Sequence, residues 1–237
     1  MHLKGRFVMS LKRLILPICL ALGLAALGRP SSAQRMFHVQ LDTSSLNPAS
    51  TYYTEFTLSD GHVTSLGTPD TNNSVTLSGF TFGSGASGAV LPPDVGNASG
   101  STASSVLLTD GDAGGVADHA QAFTPGGILG FNATVTTNAD AGGTPDIFTF
   151  YLLDSGLNQL STNAPAQTAN AFLRLDITGP TVTLASVNAY GNTSVPVPAP
   201  VISAVSTTPE PGALALGIGV SLGASLTALR RRHTKKR

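Results

Sequence analysis

Few residues in this chain are of a type and spacing that could do chemistry. The most suggestive run is Asp110-Gly111-Asp112-Ala113-Gly114-Gly115-Val116-Ala117-Asp118. It opens Asp-x-Asp and carries glycine at the sixth place, as calcium loops do, because a hard cation needs several oxygens around a sharp turn. Asp110, Asp112 and Asp118 are therefore candidate ligands for Ca2+. The match is partial: the fifth place has no oxygen-bearing side chain, and Gln121 stands where a bidentate glutamate is expected. The competing expectation is a solvated turn, since Asp and Gly form turns by themselves.

Nothing else has the pattern of a catalytic site. Outside the chain ends the histidines are His38, His62 and His119. A hydrolase elbow needs Gly-x-Ser-x-Gly between a strand and a helix; Gly85-Ala86-Ser87-Gly88 comes nearest and lacks the full motif. Glycoside hydrolysis needs two carboxylates across a cleft, whereas Glu55 is the only glutamate of the body and the aspartates cluster at turns. The expectation is that the protein is not an enzyme. A binding role would instead show as aromatics aligned on one sheet face, with Tyr52, Tyr53, Tyr151 and Tyr190 as candidates. Four Asn-x-Ser/Thr sequons, at Asn72, Asn97, Asn132 and Asn192, are expected by coincidence in so Ser/Thr-rich a chain.

Charge is strongly segregated along the 237 residues. Between Gln34 and Thr208 two arginines, Arg35 and Arg174, face twelve carboxylates, a net charge of about −10, and lysine is absent. Such a body would be repelled by nucleic acid, whose binding depends on cations at phosphates. The single cysteine, Cys19, falls in the apolar N-terminal run, so the body can form neither a disulfide framework nor a thiolate metal site.

The cations sit at the ends. Lys4, Arg6, Lys12 and Arg13 precede an apolar stretch from Leu14 to Leu27, and Ser31-Ser32-Ala33 supplies small residues. These are the three parts of a secretory signal peptide over 1–33, with cleavage between Ala33 and Gln34. At the other end Pro209-Glu210-Pro211 precedes an uncharged run, 213–229, followed by Arg230, Arg231 and Arg232 in a basic tail over 230–237. As a helix the run would reach about 25 Å, the short end of a bilayer span. Basic residues stay on the cytoplasmic side, so both ends predict an exported body. The prolines keep Glu210 extended and clear of the helix.

Pro209-Glu210-Pro211, the apolar run and the terminal arginines resemble the PEP-CTERM sorting signal of Gram-negative bacteria that produce exopolysaccharide. That resemblance implies an integral-membrane partner, exosortase, which processes such signals. It further implies an inner-membrane-tethered intermediate that ends at the cell surface or in the extracellular matrix. The body is also similar to a family of PEP-CTERM exported proteins of unknown molecular function. The similarity lies in Val39-Gln40-Leu41-Asp42-Thr43-Ser44-Ser45-Leu46, in Ala122-Phe123-Thr124-Pro125-Gly126 and in the stretch from Asp140 to Asp154. It implies no catalytic residue.

The elements that must hold these residues are strands. Phe37, Val39 and Leu41 alternate with His38, Gln40 and Asp42, the period-two pattern of a half-buried strand. Similar patterns recur near 52–58, 75–82, 105–109, 120–123, 128–136, 147–153, 171–177 and 182–188, separated by Gly, Asn, Asp and Pro turns. In Phe148-Thr149-Phe150-Tyr151-Leu152-Leu153 both alternating sets are largely apolar, which predicts a strand covered on both faces. Gly83 to about Ser101 reads as flexible. Residues 195–208 start Val195-Pro196-Val197-Pro198-Ala199-Pro200 and read as a Pro-rich spacer. The predicted architecture is all-β: one antiparallel β-sandwich over 34–194, in jelly-roll form as one option, between a signal peptide and a transmembrane helix. The expected role is structural, in a surface or matrix protein associated with exopolysaccharide. The alternatives are a carbohydrate- or calcium-binding module and, last, a secreted hydrolase.

Overall fold

Alternation of apolar and polar residues sets the observed strands. The computed structural model describes residues 34–61, 73–92, 94–110, 115–136, 138, 145–165, 170–177, 187–191 and 197–208. The expected signal peptide over 1–33 and sorting signal over 209–237 lie outside the described residues. The described residues form twelve strands: β1 (Gln34–Asp42), β2 (Tyr52–Ser59), β3 (Ser74–Thr81), β4 (Ala86–Val90), β5 (Asn97–Gly100), β6 (Ser105–Thr109), β7 (Val116–Thr124), β8 (Ile128–Thr136), β9 (Asp146–Leu153), β10 (Leu173–Ile177), β11 (Val187–Ala189) and β12 (Val201–Thr208). Among the described residues there is no helix.

The strands form two six-stranded sheets, ordered β12-β1-β8-β3-β6-β5 (sheet A) and β11-β10-β9-β2-β7-β4 (sheet B). Every strand pairing is antiparallel. The described part is thus all-β, as its periodicity predicts. Val39 and Leu41 of β1, Phe131, Ala133 and Val135 of β8, and Val75 and Leu77 of β3 point from sheet A into one hydrophobic cluster. Phe56 and Leu58 of β2 and Phe148, Phe150 and Leu152 of β9 enter the same cluster from sheet B. Phe56 is its pivot, stacking on Phe150 at 5.2 Å and meeting Phe131 edge-on at 5.3 Å between ring centroids. Full burial of each such ring contributes about 1.5–3 kcal/mol.

Three strands fall where the sequence predicts none. β4 and β5 occupy the segment expected to be flexible, and β12 occupies the second half of the expected spacer, paired along β1 from Gln34↔Thr208 to Gln40↔Val201. The folded unit therefore runs to Thr208, past the predicted boundary at 194. Val197, within the expected spacer, is buried in the core. The glycines of the 83–88 stretch serve close packing: a Cβ on Gly85 would meet the Thr124 carbonyl oxygen at 2.0 Å.

Beyond Phe56, Leu58 and the other core residues, one end of the unit is tied by buried polar groups. Asn73 donates from its backbone to Asp110 Oδ2 (2.9 Å) and from Nδ2 to Asp146 Oδ2 (2.8 Å). Its Oδ1 accepts from Thr136 Oγ1 and from the Asn138 backbone. Gly61 N donates to Asp146 Oδ1. Buried polar groups need partners of this kind, and here they join the ends of β2, β3, β6, β8 and β9.

Candidate functional site

Sheet B presents the more informative surface. Thr54, Phe56 and Leu58 of β2 point inward, so Tyr53, Glu55 and Thr57 point outward. On β9, Phe148, Phe150 and Leu152 are inward and Tyr151 is on the outer side. Register places Tyr151 opposite Glu55 and Leu153 opposite Tyr53, so the two tyrosines are diagonal neighbours on one face. Gln159 Nε2 donates to Glu55 Oε2 at 3.1 Å, and Asn170 Nδ2 donates to Gln159 Oε1 at 3.4 Å. On the other flank Glu55 is opposite Ala120, and Tyr53 is opposite Ala122, so small residues neighbour Tyr53 on that side. Two partly exposed rings beside a carboxylate and amides make a surface able to stack on an apolar face and hydrogen-bond its rim.

The other tyrosines are not part of this face. Tyr52 packs on Phe123 at 6.2 Å, and Tyr190 is buried. The outer face of sheet A carries Thr76, Ser78, Asn132 and Thr134, with His38 Nδ1 hydrogen-bonded to Asn132 Oδ1 at 3.0 Å. It has no such pair of rings. A groove of about 390 Å³ runs beside the start of β12, lined by Asp42, Ser44, Ile128, Pro198, Ala199 and Val201. Its polar lining residues are Gln40, Asp42 and Ser44.

Two of the three predicted calcium residues, Asp110 and Asp118, are among the described residues. Asp112 lies outside the described residues, Asp110 follows β6 of sheet A, and Asp118 is on β7 of sheet B. Asp110 accepts from the Asn73 backbone. The carboxylates that influence Asp118 are Glu55 and Asp94. Burial, and then those two charges, push the Asp118 carboxyl up to about 6. Among the described residues no group of three His, Cys, Asp or Glu side chains is arranged to hold a metal. Of the remaining predicted site residues, Gln34 begins β1, whereas Ala33, Pro209, Glu210, Pro211, Arg230, Arg231 and Arg232 lie outside the described residues.

The chain matches no known protein family, no characterised protein and no solved structure.

One cluster escaped the sequence analysis. His119 and Gln121, both on β7 and two residues apart, point inward and are fully buried. His119 Nδ1 lies 3.0 Å from Asp94 Oδ1, and its Nε2 lies 3.3 Å from Gln121 Oε1. Thr102 N donates to the same Oε1 at 2.7 Å. Gln121 Nε2 donates to Ser87 Oγ at 2.8 Å, to the Gly88 carbonyl at 2.8 Å and to Ser101 Oγ at 3.0 Å. The sequence signal was available in the period: His119 and Gln121 share the alternation of Ala117 and Phe123, and so belong to the buried face. Ser87 is paired with Phe123 of β7, and the register shifts between Ser87 and Val90.

Proposed function

We propose that this chain is an exported surface protein of structural role, sorted at the membrane by an exosortase-type enzyme, whose β-domain associates with exopolysaccharide. The supporting sequence feature is the order of parts: a cationic, apolar leader, an acidic lysine-free body, then Pro209-Glu210-Pro211, an apolar run and a block of arginines. The β-domain is read as a jelly-roll sandwich. The strand order β1-β8-β3-β6 in one sheet and β2-β7-β4 in the other supports that architecture, which lectin domains share; fold alone does not assign a ligand.

The observation that carries the polysaccharide part is the pairing of Tyr53 and Tyr151 on one sheet face beside Glu55 and Gln159. Sugar rings have apolar faces and hydroxyl rims, and the tyrosines and their polar neighbours offer the complement of both. The test is co-sedimentation of the mature protein with the producing organism's exopolysaccharide. Replacing both Tyr53 and Tyr151 by Ala is expected to weaken binding by about tenfold or more, equivalent to roughly 1.4 kcal/mol. Unchanged co-sedimentation would remove this face from the proposal.

Sorting has its own test. Glu210→Ala, or removal of the arginines from Arg230 onward, is expected to leave the C-terminus unprocessed, read as the mass of the cell-associated protein. Normal processing of both variants would refute the exosortase assignment.

A further inference from the structure

The buried cluster around Gln121 has more chemistry in it than a structural amide requires. Backbone groups fix the orientation of the carboxamide: Thr102 N–H can only donate, to Oε1, and the Gly88 carbonyl can only accept, from Nε2. His119 then faces an acceptor on each side, Asp94 Oδ1 and Gln121 Oε1. With a proton on Nε2 the ring donates to Gln121 Oε1, and Nδ1 faces Asp94 Oδ1. Gln121 Oε1 is thus held by two donors, the Thr102 N–H and the His119 ring, on a buried side chain. That is the arrangement that stabilises negative charge developing on a carbonyl oxygen. On the other side of the same group, the Ser87 hydroxyl sits 2.8 Å from the leaving nitrogen and 2.8 Å from Thr102 Oγ1.

We propose that Ser87 and Gln121 become joined by an intramolecular ester, formed by the folded chain itself. Rotation about the Ser87 Cα–Cβ bond carries Oγ from the amide nitrogen to the face of Cδ. The Oγ–Cδ bond forms, and charge collects on Oε1 against Thr102 N–H and His119 Nε2–H. The Cδ–Nε2 bond then breaks. The hydroxyl proton passes to the departing nitrogen, which leaves as ammonia, so atoms and electrons balance with no oxidant or co-reactant. Asp94 is a positioning residue that keeps the imidazole aimed. Burial of His119 and Gln121 protects the product from hydrolysis. The bond would staple β4 to β7 in a body that has no cysteine for disulfides and no lysine for amide cross-links.

Peptide masses of the native protein test this. Whole-chain mass is insufficient, because an N-terminal Gln34 can itself lose ammonia by cyclising. A protease cutting ahead of aspartate separates residues 70–93, which contain Ser87, from 118–139, which contain Gln121. The expected result is one branched species with the mass of both peptides less one ammonia, split by hydroxylamine. It should vanish in Ser87→Ala and persist in Ser101→Ala. Two separate peptides of full mass from cooperatively folding wild-type protein would overturn the proposal. So would a cross-link that survives Ser87→Ala.

Discussion

Asp118 shows how one side chain can work against its fold. Its Oδ1 is buried and, among the described residues, has no hydrogen-bond partner. Burial, with Glu55 and Asp94 close by, raises the carboxyl to about 6. A carboxyl that holds its proton more tightly when folded makes the native state less stable as pH rises. The cost is absent below about 4, grows through about 6 and is complete above it. Asp118→Asn is therefore expected to stabilise the protein at pH 8 by about 1 kcal/mol, discounted because the side chain is partly exposed, and to have no effect at pH 4. Urea unfolding at the two pH values measures the difference. Asp154 shows the opposite influence in an exposed turn, where the Asn158 backbone N–H, followed by the Asn158 side chain and the Gly156 N–H, lowers its pKa. At this scale the sequence was a poor guide. Asp118 was a candidate ligand by spacing; it lies on the outer side of β7 in sheet B, Asp110 follows β6 in sheet A, and Asp112 lies outside the described residues. The spacing of His119 and Gln121 puts both on the buried face of β7, whereas Asp94 reaches His119 only through loop closure.

Strands with a strong apolar alternation were legible, and strands built of small residues were not. β1, β2, β3, β8 and β9 each place several large side chains in the core, so their period of two stands out. β4 (Ala86–Val90) and β5 (Asn97–Gly100) are edge strands with mostly exposed Gly, Ala, Ser and Asn residues, which give the same composition as a loop. β12 was hidden by the prolines just ahead of it, which read as a spacer. Proline is compatible with the approach to an edge strand, and Val197 uses that approach to reach the core. β12 also covers β1, which would otherwise be an open edge able to pair with another chain. Truncation after Ala199 keeps Val197 but bares β1. It is expected to raise the oligomeric state or cause aggregation, read by size-exclusion chromatography with light scattering; an unchanged state would show that β12 is dispensable.

For the whole molecule, the informative feature is the contrast between a body and its flanks. The acidic body forms two antiparallel sheets around one aromatic core, and the cationic and apolar stretches lie before Gln34 and after Thr208. Fold class followed from periodicity alone, since hydrophobic burial is indifferent to which apolar residue supplies it. The site did not follow, because a face such as Tyr53 with Tyr151 depends on which strands are neighbours, and β2 and β9 are some ninety residues apart. The pairing of Gln34 with Thr208 has a mechanical meaning. The two flanks leave the unit at the same end of sheet A, on adjacent antiparallel strands. Tension drawn through the C-terminal flank would load the bonds between β12 and β1 one pair at a time, like a zip, instead of sharing the load along the strand. Such a unit yields first at its own seam, so a protein hung by that flank would pay out β12 before its aromatic core felt the pull.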